Sequence, residues 1–327
     1  MDGVMPRIDL PMRRYRVKMT GPKLSDGQCP TLSAWRGAFG HGLKELVCSV
    51  PEGDCSTCFL QTSCLYPKIF EPRPDPRKKM MVRYNRIPPP YTLFRDTPDE
   101  NESLSLLTFA LFGEANDSLP HILMAFDRAG SLGIGPGRVR YSLDVAFGEK
   151  FLGSEDFFLI YQKGMRTAYR EFSLEPPSCP SRPYGGNVIV SFLSPLRMRF
   201  SENLVTPSDF TFGFFFRNIL RRLSLLVAFY GGGPLALDYR TLVHQADQVP
   251  LAASDLSWRD WTRFSSRQNV MMQMGGVHGS IVLRATDLDP FWELLWWGQW
   301  TGAGKGTTMG NGVYRLHLGK DGREEER

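Results

Sequence analysis

No apolar run in the sequence approaches the roughly 20 residues a helix needs to cross a bilayer, and no apolar leader segment follows the first methionine. Neither a membrane span nor a secretory leader is expected. The six cysteines are therefore read in a reducing, cytoplasmic setting, where a tight cluster points to metal more often than to disulfides. A complete P-loop is missing too. That pattern needs Gly, four residues, then Gly-Lys-Ser/Thr opening a helix. Here Gly304-Lys305 are present, but Gln299 stands at the first glycine position and Gly306 follows the lysine. The stretch runs on into Val313-Tyr314-Arg315-Leu316-His317-Leu318, whose alternation is that of a strand. A mononucleotide site is argued against on both counts. An RNP-type aromatic run, which an RRM-like RNA platform would use, is absent as well.

What is present is a chain long enough for two domains of ordinary size, with 42% hydrophobic residues, which excludes wholesale disorder. The formal charge of +5 is modest, but the cations are clustered. Arg13, Arg14, Arg16 and Lys18 lie together, as do Arg77, Lys78, Lys79, Arg83 and Arg86, then Arg138 and Arg140, then Arg217, Arg221 and Arg222. Clusters on a balanced chain suggest a polyanion track, with plain solubility as the alternative. The C-terminal DGREEER is read as a solvated end.

Two halves show the same order of elements. In the first, residues 12–19 alternate as a strand, with Tyr15, Val17 and Met19 on one face and Arg14, Arg16 and Lys18 on the other. Pro30-Thr31 opens a helix over 31–47, 104–112 reads as a strand, 117–130 as a helix and 138–147 as a strand. In the second, 187–193 is a strand, 208–229 a long helix, and 276–285 a strand. Weaker strand signals lie near 236–244 and 264–273, the latter as a hairpin arm. A short helix over 290–298, capped by Asp287 or Asp289 with Pro290 in its first turn, precedes the glycine loop and strand 312–318. Each half thus reads β-α-β-β-α-β with a glycine loop before its last strand, the ferredoxin-like order. The expected fold is α+β, two tandem ferredoxin-like, RRM-like domains over 1–180 and 184–327. A Pro- and Gly-rich linker at 174–186 joins them, and the first domain holds a Cys-rich insertion near 48–70 and a basic stretch at 77–86. In the loop 302–312, Gly304, Gly306, Gly310 and Gly312 would let backbone approach a phosphate chain and form an anion nest, with Lys305 adding charge.

The residues Gly275-Gly276-Val277-His278-Gly279, Asp287-Leu288-Asp289-Pro290-Phe291 and Gly304-Lys305-Gly306-Thr307-Thr308-Met309-Gly310-Asn311-Gly312-Val313-Tyr314 resemble the C-terminal signature of the CRISPR precursor-RNA processing endoribonucleases. These belong to the repeat-associated RAMP superfamily with tandem ferredoxin-like domains. Leu32 to His41, the cysteines after it, and Phe70-Glu71-Pro72 resemble one branch of the same family, so the similarity spans almost the whole chain. It implies metal-independent cleavage of CRISPR repeat RNA into guide RNAs. The ribose 2′-hydroxyl attacks the adjacent phosphate, leaving a 2′,3′-cyclic phosphate and a 5′-hydroxyl. Repeat RNA is the implied partner, together with other CRISPR effector subunits. The family usually places a histidine on or just after the first helix.

On a helical wheel Leu32, Trp35, Phe39, Leu43 and Leu46 form the apolar stripe, and His41 falls opposite it, beside Gly37 and Lys44. Gly37 and Gly40 would remove bulk that keeps RNA away, or else allow close packing. An imidazole there can act as base or acid near neutral pH. Lys44 and Arg36 would stabilise the developing phosphorane charge. His41, Lys44 and Arg36 are the catalytic candidates. Arg14, Arg16, Lys18, Arg138, Arg140, Gly304, Lys305, Gly306, Gly310, Gly312 and Tyr314 are the RNA-binding candidates. His278 ranks below His41, and His121, His244 and His317 read as ordinary surface or packed residues. Cys48, Cys55, Cys58 and Cys64 have C-x6-C-x2-C-x5-C spacing, which suits a structural zinc ion, with an iron–sulfur cluster or no metal as alternatives. Cys29 and Cys179 read as free thiols. Two other functions remain open: a non-cleaving subunit that holds the stem of a processed CRISPR RNA, and an RNA-binding module outside CRISPR biology.

Overall fold

The computed structural model of the protein describes residues 8–22, 30–50, 53–73, 87–94, 106–135, 137–164, 177–265 and 270–319. The basic stretch 77–86, Cys29, the first three residues of the linker (174–176), and the DGREEER end lie outside the described residues. The chain divides into two compact units: Ile8–Pro177 with Leu225–Pro234, and Ser178–Ser224 with the chain from Leu235 onward.

In the first unit β1 (Met12–Thr20) runs antiparallel to both β3 (Leu106–Phe112) and β4 (Ser142–Glu149). The sheet is completed by β2 (Tyr91–Phe94) and β5 (Phe157–Gln162) in the order β2-β3-β1-β4-β5. With β5 removed from the edge, this is the ferredoxin-like order 2-3-1-4. The register sets Tyr15 opposite Phe109 and Val17 opposite Leu107, and the Tyr15 and Phe109 rings stack at 5.4 Å. Two helices, α1 (Leu32–Val47) and α3 (Leu119–Leu132), contribute the apolar layer, and a one-turn helix α2 (Leu65–Ile69) lies between α1 and β2.

Thr31 starts α1, its hydroxyl oxygen accepting from the Ala34 N–H at 3.2 Å. Trp35, Phe39 and Leu43 are buried as the 3.6-residue period requires. Phe39 stacks on Phe126 of α3 at 4.7 Å and meets Tyr91 edge-on at 5.6 Å. Leu46, expected in the same stripe, is 40% exposed. The strand β2 had no sequence signal. Its four residues are buried on both faces, so no alternation marks it.

In the second unit β6 (Asn187–Leu196), β9 (Ala253–Arg259), β12 (Gly276–Arg284) and β13 (Tyr314–Leu318) form a sheet in the order β13-β6-β12-β9, again ferredoxin-like. A small hairpin, β7 (Arg199–Phe200) and β8 (Asn203–Leu204), follows β6, and a second, β10 (Thr262–Ser265) and β11 (Val270–Gln273), precedes β12. The helices are α4 (Phe212–Tyr230), which belongs to this unit as far as Ser224, α5 (Tyr239–Gln248) and α6 (Trp292–Thr301). Phe212, Phe215, Phe216, Ile219 and Leu223 of α4 are buried with Tyr314 and Phe291. Phe215 meets the Tyr314 ring edge-on at 5.0 Å.

The weak strand expected near 236–244 is instead α5. Asp238 caps it by accepting from the Thr241 N–H, and only Leu242 and Ala246 are buried, at helical spacing. The missed second strand is β9, an exposed edge strand with little apolar alternation to reveal it. Pro290 sits inside a 3-10 turn, Ala285–Phe291, that leads into α6, and Asp289 pairs with Arg182 at 3.1 Å rather than capping the helix. No helix among the described residues is long and apolar enough to cross a membrane.

Candidate functional site

The glycine loop between α6 and β13 is folded back on the end of β6. Gly302, Gly304, Gly306, Gly310 and Gly312 all have φ between 69 and 88°. At Gly304 this left-handed backbone also passes so close to β6 that a Cβ would lie 2.5 Å from the Arg197 carbonyl oxygen. Several amides of the loop point into the protein. Lys305 N–H donates to Arg197 O at 2.8 Å, Gly312 N–H to Pro195 O at 3.0 Å and Ala303 N–H to Gly312 O at 2.9 Å. Met309 and Asn311 donate to Gly306 O, Gly310 to Thr307 O, and Val313 to the Ser194 hydroxyl. Of the glycines expected to form an anion nest, Gly310 and Gly312 spend their amides on protein acceptors, whereas Gly304 and Gly306 donate to no backbone acceptor among the described residues. The glycines serve close packing.

That packing aligns cations. Lys305 is exposed at the loop's outer bend. Its pKa is lowered, first by partial burial and then by the repulsion of Arg199, Arg197 and Arg221, with Glu202 opposing. Four positive groups from three segments thus share one neighbourhood in the second unit. Arg197 donates to Gly275 O at 2.7 Å and is itself held below its ordinary pKa by burial and by Arg199. Arg199 lies 3.6 Å from Glu202. Arg197 and Arg199 were missed in the sequence. The signal was there: Arg-Met-Arg directly after a strand, like Arg138 and Arg140 beside the first glycine loop.

Other expected RNA contacts are spent inside the fold. Tyr314 is fully buried, its hydroxyl donating to Leu295 O at 2.6 Å, and burial raises its pKa well above the tyrosine norm. It is a core residue because β13 turns that face towards α4 and α6. Arg14 is also fully buried. It donates to both carboxylate oxygens of buried Glu149, at 2.5 and 3.1 Å, and to Glu155 at 2.5 Å. Arg14 holds the β4–β5 connection instead of offering a surface charge. Arg222 is buried and donates to Thr301 O at 2.5 Å, and Arg217 is ion-paired with Asp247. Arg16 lies over the Phe157 ring at 3.8 Å and bonds Glu155, while Lys18 is exposed, 3.9 Å from Asp144. Arg138 and Arg140 are exposed at the first glycine loop.

On α1, His41 is exposed, on the side away from Trp35, Phe39 and Leu43, and Lys44 is half-buried one turn on. Gly37 faces open space, whereas a Cβ on Gly40 would enter the Phe70 ring, so Gly40 is there for packing inside the unit. Arg36 lies over Phe70 at 4.1 Å, and its buried Nε has no hydrogen-bond partner among the described residues. Tyr66 stacks on the same Phe70 ring at 5.4 Å, its hydroxyl pKa pushed up to about 12 by burial and then by Glu71. His278, in β12, is half-buried and its pKa is lowered by burial and by Arg259. Cys48, Cys55, Cys58 and Cys64 are free and half-buried. Among the described residues no three His, Cys, Asp or Glu side chains converge on a point where an ion would sit.

Residues 10–172 match a family described as an N-terminal domain, AF_1859_N, and residues 190–314 match the family described as CRISPR-associated endoribonuclease Cas6. No curated protein matches the chain. Among solved structures, the Cas6 protein TTHB231 in a product complex is similar over 94% of this chain and 99% of its own, at 16% identity and a TM-score of 0.54, a likeness of fold. The TTHA0078 product complex covers the same shares at 14% identity and a TM-score of 0.49. A Cas6-related protein from Pyrococcus furiosus covers 96% of this chain and 100% of its own at 11% identity and a TM-score of 0.45.

Proposed function

From the match of residues 190–314 to the CRISPR-associated endoribonuclease Cas6 family, we propose that the chain cuts CRISPR repeat RNA in precursor transcripts without a catalytic metal. The observation that carries the reading is the grouping of Lys305, Arg197, Arg199 and Arg221 around the glycine loop. Like charges raise each other's free energy, and Glu202 offsets only part of this at Lys305, so the grouping favours a polyanion. Exposed Arg138 and Arg140 extend the basic surface of the first unit in the same sense.

The chemistry is assigned to α1. His41, exposed and away from the core, takes the proton from the 2′-hydroxyl or returns one to the leaving oxygen. The new O2′–P bond forms as the P–O5′ bond breaks, leaving a cyclic phosphate on one fragment and a protonated 5′-hydroxyl on the other. Arg36, oriented by Phe70 and carrying an unused donor, and Lys44 supply positive charge to the phosphorane. The four cysteines are proposed as zinc ligands on their spacing alone. Metal analysis of the purified protein should find about one zinc per chain, and a metal-free chain removes that assignment.

The test uses wild type and His41→Ala with the repeat transcript of the CRISPR array adjoining the gene, in excess EDTA. Wild type should yield cyclic-phosphate and 5′-hydroxyl ends, and His41→Ala should slow cleavage by about 100- to 10,000-fold. Unchanged cleavage by His41→Ala removes the catalytic assignment. Tight binding without cleavage by wild type replaces the reading with that of a subunit holding the RNA stem.

A further inference from the structure

The hairpin β7–β8 turns through Ser201 and Glu202, with φ of 46 and 70°. Two successive left-handed residues without glycine are unusual in so short a turn, where Asn-Gly would be favoured. The hairpin is fixed by pairing of Phe200 with Asn203 and of Arg199 with Leu204, and by a Val205 N–H bond to Met198 O at 3.1 Å. It holds Phe200 out from the body with 51% of its surface exposed. The ring is not loose, because its inner side packs on Phe214 of α4, centroids 4.6 Å apart. The Arg217 guanidinium lies 5.9 Å from the Phe200 centroid and 5.6 Å from that of Phe214.

Phe214, Arg217 and Arg221 stand at i, i+3 and i+7, along one solvent-facing stripe of α4 about 10 Å long. The opposite side of the helix, with Phe212, Phe215, Phe216 and Ile219, is core. At the far end of the stripe Arg221 adds to the positive field at Lys305 of the glycine loop, to which Arg197 and Arg199 also contribute. An aromatic face at one end of a cationic stripe is the arrangement used to hold unpaired nucleotides: the base stacks and the backbone follows the charge. A duplex, whose bases are already stacked, has no use for the ring.

We propose that Phe200, backed by Phe214 and Arg217, stacks one unpaired base of a single-stranded RNA segment whose phosphates run along Arg221 towards Lys305. This rests on the RNA reading above and adds to it a single-stranded contact, tolerant of sequence because every base offers a π-face. The Phe200 contact should therefore be blind to base identity.

The probes are fluorescein-labelled oligoadenylate and oligouridylate of about twelve nucleotides and an RNA duplex of the same length, at fixed salt. Phe200→Ala should weaken single-strand binding about 5- to 150-fold and leave duplex binding within about 2-fold. Phe200→Trp should bind as wild type does. Phe200→Leu keeps apolar cover over Phe214 without a π-face, and should lose affinity as the alanine variant does. Full single-strand affinity in the Ala or Leu variant overturns the proposal and leaves the RNA reading standing. Wild type that binds neither single strand overturns the proposal, and the RNA reading then stands or falls on the repeat transcript alone.

Discussion

Gly304→Ala and Gly135→Ala form a matched pair. Both glycines have φ of +74°, so a methyl group meets the same backbone penalty at each, about 1–3 kcal/mol. They differ in what the methyl would touch. At Gly135 nothing lies within 4 Å, whereas at Gly304 the Cβ would be 2.5 Å from the Arg197 carbonyl oxygen. A backbone oxygen cannot swing aside as a side-chain tip can, so Gly304→Ala carries a further cost of about 1–3 kcal/mol from overpacking. The expected losses are then about 2–6 kcal/mol for Gly304→Ala and about 1–3 for Gly135→Ala. Each glycine belongs to a different unit. The assay is therefore urea unfolding read by hydrogen exchange on peptides from each unit, which avoids treating the chain as one transition. Equal losses would refute the argument. They would mean that the loop is free to move off β6, and that its amides are available to an anion after all.

Arg14→Met leaves Glu149 buried without its main partner and should cost about 3–5 kcal/mol in denaturant melts, while Arg14→Met combined with Glu149→Met should recover most of that. A single variant as stable as wild type would remove Arg14 from its role in holding the β4–β5 connection. Lys305→Ala and Arg199→Ala should each flatten the slope of log affinity against log salt by about 0.7, one phosphate contact on a single strand. An unchanged slope takes that residue off the track. The Lys305 pKa lies below its ordinary value of 10.5, so its charge is lost at lower pH than that of a free lysine. The sign for binding is a loss of RNA affinity as pH rises through that lowered pKa. For folding it is the reverse, since the protonated form is the disfavoured one and stability rises there. Lys305→Arg should abolish the fall in affinity, measured with a 2′-deoxy substrate mimic that cannot be cut. A fall that persists in Lys305→Arg assigns the titration elsewhere.

Much of the layout was legible in the sequence for a plain reason: period-2 and period-3.6 patterns are local consequences of facing one core. The alternation of Tyr15, Val17 and Met19, the Trp35-Phe39-Leu43 stripe and the paired order of elements all follow from it. Residues buried on both faces, as in β2, and residues exposed on an edge, as in β9, carry no such pattern and were missed. The side chains that bear on function were less legible. Arg14 and Arg16 are two apart in the chain and share one sheet face, yet only the neighbours brought from residues 149 and 155 make the first a buried ion pair.

The sequence alone settled that the chain makes two ferredoxin-like sheets, where α1 starts, and that a glycine loop precedes β4 and β13. These depend on short-range spacing of apolar residues, caps and turns. Only the tertiary structure decided what the glycines and cations are for. The distance from Lys305 to Arg197, Arg199 and Arg221 is set by strand register and loop closure, and no local pattern encodes it. The same long-range geometry turns Tyr314 and Arg14 inward, because burial belongs to the assembled layers and not to the residue.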